Sequence, residues 1–423
     1  MTISQKILAQ AAGVKTLEAG DIINAPIDVA MIHDSLGILA VNAFMRLPVN
    51  KVWDPNKIVV VFDHRAPATN IDAAKNQASI RRFTRDQGIR NFYDIGRGGI
   101  CHQVLHEQGH VKPWDVVVGA DSYTNTYGAI GAFAVGVGST EMAGVFARGE
   151  LWFKVPETIR VNVEGSIGEC VMGKDIILNV IGMLGANGAT YKAVEFTGTT
   201  ITRMSMDGRF TICNMSTEMG AKNAIIEPDK TTLNYLEKRV SKIIPNLHAD
   251  TDADYIEEYE VDCSTVEPSV AAPFSPDNVK PVTDVEGIDI DQAFIGSCTN
   301  GRMEDLRAAA QILIGHKISD SVRLVVIPAS HRIWTHTLRE GLLEIFQEAG
   351  ASVCTPSCGP CTGADKGILG ANEVCIATIN RNFVGRMGDP TSEIYLANPY
   401  TVAASALKGK ITDPRTLVER REI

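Results

Sequence analysis

Two cysteines, Cys358 and Cys361, stand three apart in "PSCGPCTG", with only Gly359 and Pro360 between them. A thiol pair on so stiff a turn serves a disulfide, a zinc ion, a redox dithiol or an iron–sulfur cluster. Structural zinc takes four ligands, often as two CxxC pairs, and the chain has one such pair. A thioredoxin-type dithiol opens a helix near the start of a small domain, whereas this pair lies far along the chain. Cys298, in "GSCTNGR", adds a third thiol. It follows an apolar run that reads as a strand, and the pair follows "ASVCTP", again a strand entering a turn. Ligands in open α/β sheets gather at such carboxyl ends. One cysteine plus a CxxC can hold three irons of a [4Fe–4S] cube through thiolates. A fourth iron without a protein ligand is then a Lewis acid, not an electron carrier. Spacing alone leaves buried, incidental thiols as the alternative.

The chain that must position these groups has 423 residues, 45 % of them hydrophobic. By size it makes two or three domains of roughly 100–200 residues each. A net charge of −10 argues against gripping nucleic acid or an anionic membrane as the main task. It leaves room for a small basic pocket that takes an acidic metabolite. The start, "MTISQKILAQAAGVKTLEAGD", is polar and amphipathic, without a secretory leader. No apolar run of about 18 residues appears. With nine scattered cysteines, the expectation is a cytoplasmic protein with few or no structural disulfides. Cys170, Cys213, Cys263 and Cys375 read as small buried hydrophobes.

The elements read as α/β throughout. "KIVVVFDH" (57–64) and "DVVVGAD" (115–121) are short apolar strands ending in polar residues. "NIDAAKNQASIRRFTRDQG" (70–88) is a helix with an Asn cap and a closing Gly. The Gly-rich run 128–149 lacks the GxGxxG and GK[ST] patterns of phosphate loops and reads as tightly packed helix and loop. "ETIRVNVEG" alternates like a strand, and a helix follows over 174–188. The acidic, Pro-rich stretch 248–287 reads as a surface connection. A strand at "IDQAFIGSCTNGR", a helix at "MEDLRAAAQILIG" and a strand over 322–330 open a last α/β region. The expected domains are 1–155, 156–286 and 287–423. No internal repeat is visible.

"GSCTNGR", "PSCGPCTG" and "NRNFVGR", in this order, resemble the aconitase-type hydro-lyases. The likeness covers nearly the whole chain. More narrowly it is to the large subunits of the 3-isopropylmalate dehydratase, homoaconitase and 2,3-dimethylmalate dehydratase branch. The resemblance implies a three-domain, aconitase-like large subunit with a [4Fe–4S] cluster at the domain interface. That cluster, one per chain, would sit on Cys298, Cys358 and Cys361, with one iron not ligated by protein. It also implies a small dicarboxylic acid substrate and a separate small subunit carrying the fourth domain, in a heterodimer or heterotetramer.

Residue by residue, Asp63-His64 in "FDHRAP" matches the family's Asp–His pair. A carboxylate beside an imidazole keeps it protonated as an acid for departing hydroxide. His102 and Asp121 match a second pair. Ser122 matches a substrate contact, and Glu195 a carboxylate near the reacting hydroxyl. Arg381 and Arg386 match substrate-binding arginines, whose forks suit carboxylates. Asn380 matches a residue bordering the cluster. Asn300 and Arg302 are expected to bond cluster sulfurs or pack beneath it. The family's base is a serine on the small-subunit domain, so the resemblance implies that this chain turns over nothing alone. One departure stands out: Tyr123, in "DSYT", replaces a histidine that in relatives pairs with the glutamate matched by Glu195. Tyrosine donates a hydrogen bond but stays neutral. A cluster-free RNA-binding regulator is weighed down by the acidic balance and the intact ligands. An electron carrier would need a fourth ligand, for which Cys354 and Cys101 are the nearest candidates.

Overall fold

A computed structural model describes residues 1–241 and 246–418. They form two compact units: residues 1–164 with 187–261, and residues 165–186 with 262 onward.

The first unit is built on a five-stranded parallel sheet. Across the sheet the strands run Asn91–Tyr93, Ile58–Val61, Val29–His33, Val116–Gly119 and Phe133–Gly136. "IVVV" and "VVVG" are buried at every position, as strands covered on both faces must be. From Val29–His33 the chain builds outward to one side, then returns to lay the last two strands on the other. The order therefore reverses between Val29–His33 and Val116–Gly119, which opens a crevice at their carboxyl ends. The helix Ile71–Gln87 crosses between strands as expected; Asn70 caps it through Ala73 N at 2.9 Å, and Gly88 ends it in the left-handed region. A second sheet orders Asn223–Ile226, Ala193–Thr197, Thr158–Glu164 and Glu257–Asp262, and Ile22–Pro26 pairs antiparallel with Glu150–Lys154.

The second unit holds a seven-stranded sheet. Its parallel part runs Glu393–Leu396, Val374–Ala377, Gln292–Ile295, Arg323–Val326, Ser352–Val353. The order of chain segments repeats that of the first unit, and reverses between Gln292–Ile295 and Val374–Ala377.

Two expectations change. The run 128–149 contains a buried strand, Phe133–Gly136, besides the helix Ser139–Arg148; its glycines masked the apolar pattern. The stretch 248–287 is not a loose connection. It supplies Glu257–Asp262 to one sheet and Ser269–Ala271 with Val279–Pro281 to the other. Its acidic residues lie on an exposed edge, where Asn162 Nδ2 meets Glu260 at 2.8 Å and Arg160 pairs with Glu258. Among the described residues no helix is long and apolar enough to cross a membrane.

Candidate active site

In the first unit the carboxyl ends of three neighbouring strands carry the chemistry: His33-Asp34, Asp63-His64 and Asp121-Ser122. Asp34 is the organiser. One of its oxygens accepts the backbone N–H of Asp63 (3.0 Å) and of His64 (2.9 Å). The other accepts Arg65 N (2.9 Å) and Gln77 Nε2 (3.2 Å). Asp63 accepts Cys101 N at 2.7 Å, at the start of a helix, and meets His64 Nδ1 at 2.6 Å. Burial pushes the Asp63 carboxyl upward, but the charge and hydrogen bond of His64 outweigh it and hold it at about 2. Burial likewise works against a charged His64, yet Asp63, helped by Asp121 and Asp34, raises it to about 10. The pair is an ion pair throughout the neutral range. His33 stacks on His64, with ring centroids 3.9 Å apart, and accepts Ser35 N at its Nδ1. Its Nε2 then carries the proton, 3.5 Å from Asp121.

His102 Nε2 meets the other Asp121 oxygen at 2.7 Å. The Tyr127 hydroxyl lies 3.2 Å from His102 Nδ1 and 3.3 Å from the Cys101 carbonyl, to which it donates. Burial opposes ionisation of Asp121, but His102, then His33, keep its carboxyl well below the usual range. Asp121 and exposed Ser122 line a cavity of about 410 Å³ with Leu36, Gly138, Tyr191 and Lys222.

Four of the five acid–base candidates thus come together: Asp63, His64, His102 and Asp121. Glu195 does not join them. Its oxygens accept Ile3 N at 2.6 Å and the Tyr255 hydroxyl at 2.8 Å, and burial raises its pKa. Nor does it meet Tyr123, whose N–H bonds Asp121 at 2.8 Å. Sequence reasoning missed His33 and Asp34. "VAMIHDS" offered a signal for both, an apolar strand ending in His-Asp.

In the second unit Gly296 and Thr378 clamp the reversal point. Gly296 N donates to Thr378 Oγ1 at 2.9 Å, and Thr378 Oγ1 donates back to Gly296 O at 3.0 Å. Ser297 is forced to a φ of 73°, strain of the kind stored at functional turns. That twist sets Cys298 on a short helical turn. Ser297 Oγ reaches Asn380 at 3.0 Å, Cys298 Sγ at 3.8 Å and Cys361 Sγ at 4.0 Å. Asn380 Oδ1 lies 3.8 Å from Cys298 Sγ and 3.9 Å from Cys361 Sγ. Arg386 Nη2 donates to Cys361 Sγ at 3.5 Å. Cys358 and Cys361 ride the turn Gly359–Thr362 that Pro360 stiffens, and all three thiols are buried. Gly359 has φ 60°, and a side chain there would strike Ile327. The Arg302 guanidinium sits beneath the turn on the carbonyls of Cys298 (2.6 Å) and Thr299 (2.5 Å). Asn300 bonds Asp305 at 2.9 Å. Arg381 follows Asn380 and, like Arg386, is half-exposed. Cys170, Cys213, Cys263 and Cys375 are buried as expected.

A switch-point α/β protein with a carboxylate-charged His64 on one sheet and a buried thiol set on another is equipped for acid-assisted chemistry. The aconitase family (aconitate hydratase) matches residues 5–286 and 280–409. The chain belongs to that family and is a hydro-lyase. A probable 3-isopropylmalate dehydratase large subunit of Methanothermobacter thermautotrophicus is 56 % identical over 417 residues, 99 % of each chain. A 3-isopropylmalate dehydratase large subunit 1 of Methanopyrus kandleri is 55 % identical, over 98 % of this chain and 99 % of its own. A probable methanogen homoaconitase large subunit of M. thermautotrophicus is 51 % identical, over 98 % of each. Aconitase X of Thermococcus kodakaraensis, in its holo-form, shares the fold, with a TM-score of 0.50 at 14 % identity over 90 % of this chain and 89 % of that one.

Proposed function

We propose that this chain is the large subunit of a two-subunit iron–sulfur hydro-lyase that interconverts 2- and 3-isopropylmalate in leucine biosynthesis. The names of its relatives support the reading, and one observation carries the cofactor: the thiols of Cys298 and Cys361 share the Asn380 amide and the Ser297 hydroxyl. The donor set fits a cluster better than a single ion. A lone tetrahedral zinc with bonds of about 2.3 Å draws its thiolates to roughly 3.8 Å of one another. Among the described residues the metal-capable group that closes to within 4.8 Å is His33, Asp34, Asp63 and His64, not the thiols. In that group both Asp34 oxygens are taken by backbone N–H groups, and Asp63 is taken by Cys101 N and His64 Nδ1.

Cys298, Cys358 and Cys361 would hold the [4Fe–4S] cluster by three thiolates. Bound there, with one iron free of protein ligands, it supplies a Lewis acid that eases loss of the substrate hydroxyl. The chain's own residues do the rest. Arg381 and Arg386 hold substrate carboxylates. His64, kept cationic by Asp63, gives the departing hydroxyl its proton, and His102 with Asp121 fixes the neighbouring charge. The base that removes the carbon-bound proton comes from a small subunit.

The test is to reconstitute the full chain anaerobically, alone and with its small subunit. The chain alone should bind iron and sulfide and show no turnover; the complex should dehydrate 3-isopropylmalate, followed by ultraviolet absorbance of the alkene. Serine at all three cysteines should abolish iron binding. Retention of the cluster in that triple variant would sink the reading. The homoaconitase relatives at 51 % identity support a second substrate, so homocitrate belongs in the panel. Faster turnover of homocitrate would move the chain to that activity.

A further inference from the structure

Lys174 is fully buried in the second unit, at the start of the helix Gly173–Leu184. Its ammonium donates to the carbonyls of Thr378 (3.1 Å) and Ile379 (2.6 Å), the two residues before Asn380. The same Thr378 carbonyl accepts Thr299 Oγ1 at 2.7 Å, next to Cys298. Lys174 thus sits behind the loop that presents Asn380, which Thr299 ties to the turn bearing Cys298. Among the described residues no carboxylate pairs with it. Adjacent Asp175 is turned away, with its oxygens on Met172 N, Ser269 N and Asn398 Nδ2 at 2.7–2.8 Å.

A buried ammonium held only by carbonyls is costly unless negative charge is near. The charges that bear on it most are the sulfurs of Cys298 and Cys361, then Asp305 and Asp175. Burial lowers its pKa, those four groups offset part of the drop, and the balance stands at about 7. We propose that Lys174 is the counter-charge of the thiolate-bound cluster, placed behind the Thr378–Asn380 loop to set the cluster's reduction potential. The inference rests on the iron–sulfur reading above. It was not visible in the sequence, where Lys174 looked like the first residue of an ordinary helix.

The test compares the anaerobically reconstituted full-length wild type with Lys174→Met by iron and sulfide content, EPR and spectroelectrochemical titration. Removing a nearby positive charge disfavours the added electron. The variant's reduction equilibrium should fall at least tenfold, which for one electron is a potential about 59 mV more negative. An unchanged potential in a loaded variant overturns the proposal. If Lys174→Met does not load, Lys174→Arg decides: loading at the wild-type potential supports a role for charge, and failure of both variants assigns the position to packing and overturns it. Absence of iron and sulfide from the wild type would instead overturn the cluster reading itself.

Discussion

The Asp34 carboxylate accepts four hydrogen bonds, three of them from the backbone of the Asp63–Arg65 turn. It fixes where His64 stands, while Asp63 fixes its charge. The pH consequence follows from both partners. Asp63, lowered from 3.8 to about 2, contributes stability that is present above pH 3.8 and lost as pH falls through about 2. His64, raised from 6.5 to about 10, contributes stability that is full below pH 6.5 and lost as pH rises through about 10. Asp63→Asn should therefore destabilise the chain most between pH 4 and 6.5, by about 3 kcal/mol for a broken buried pair, with the gap closing toward pH 10. Urea midpoints of the two proteins across that range measure it. In the same variant the His64 ring should titrate below 6.5 by nitrogen NMR, whereas in wild type it should hold its proton at least to pH 8. At this scale the sequence located residues that the fold brings together, Asp63 with His64 and Cys298 with Cys361 about Asn380. It misled at Glu195. A strand residue faces one side or the other, and a step of one reverses it; motif position alone could not say that Glu195 turns toward Ile3 and Tyr255.

Elements matter here through how closely they approach. The helical run Ser122–Ile130 starts at the cavity lined by Asp121 and Ser122 and lies against the strand Asn223–Ile226. Contact is so close at Gly128 that a Cβ would sit 1.6 Å from the Ala224 carbonyl oxygen. Backbone, unlike the tip of a side chain, cannot step aside. Gly128→Ala should cost about 3 kcal/mol, the upper part of the overpacking range, and lower the melting temperature by several degrees. It should also displace Asp121 and Ser122, weakening substrate binding without loss of iron, since the thiols stand on other elements. Calorimetry and iron analysis separate these effects. The glycines of 128–149 had been read as packing glycines, not phosphate binders, and Gly128 packs in that way. What the composition hid was the strand between them, because a four-residue run such as "FAVG" has no period that distinguishes it from a buried turn of helix.

At the scale of the molecule, each unit repeats one plan. Three parallel strands are built outward, two are added on the other side, and the chemistry sits where the order reverses. In one unit that point carries His33, Asp34, Asp121 and Ser122; in the other it carries Ser297, Cys298, Asn380 and Arg381. No repeat shows in the sequence, because strand order depends on which runs pair and not on which residues compose them. The second unit also reaches back along the chain for residues 165–186, which chain order does not reveal. That loan has a measurable consequence. Asp175 binds Ser269 N, and its Oδ2 takes Asn398 Nδ2 as well as Met172 N, while Lys174 secures the Thr378 and Ile379 carbonyls. A fragment of residues 262–423 lacks all of these partners and leaves buried backbone groups unpaired, each costing about 1–3 kcal/mol. It should show no cooperative thermal transition. Joining residues 165–186 to it through a flexible linker should restore one, together with iron uptake at Cys298, Cys358 and Cys361. Equal folding of the two fragments by circular dichroism would show that the borrowed helix is dispensable.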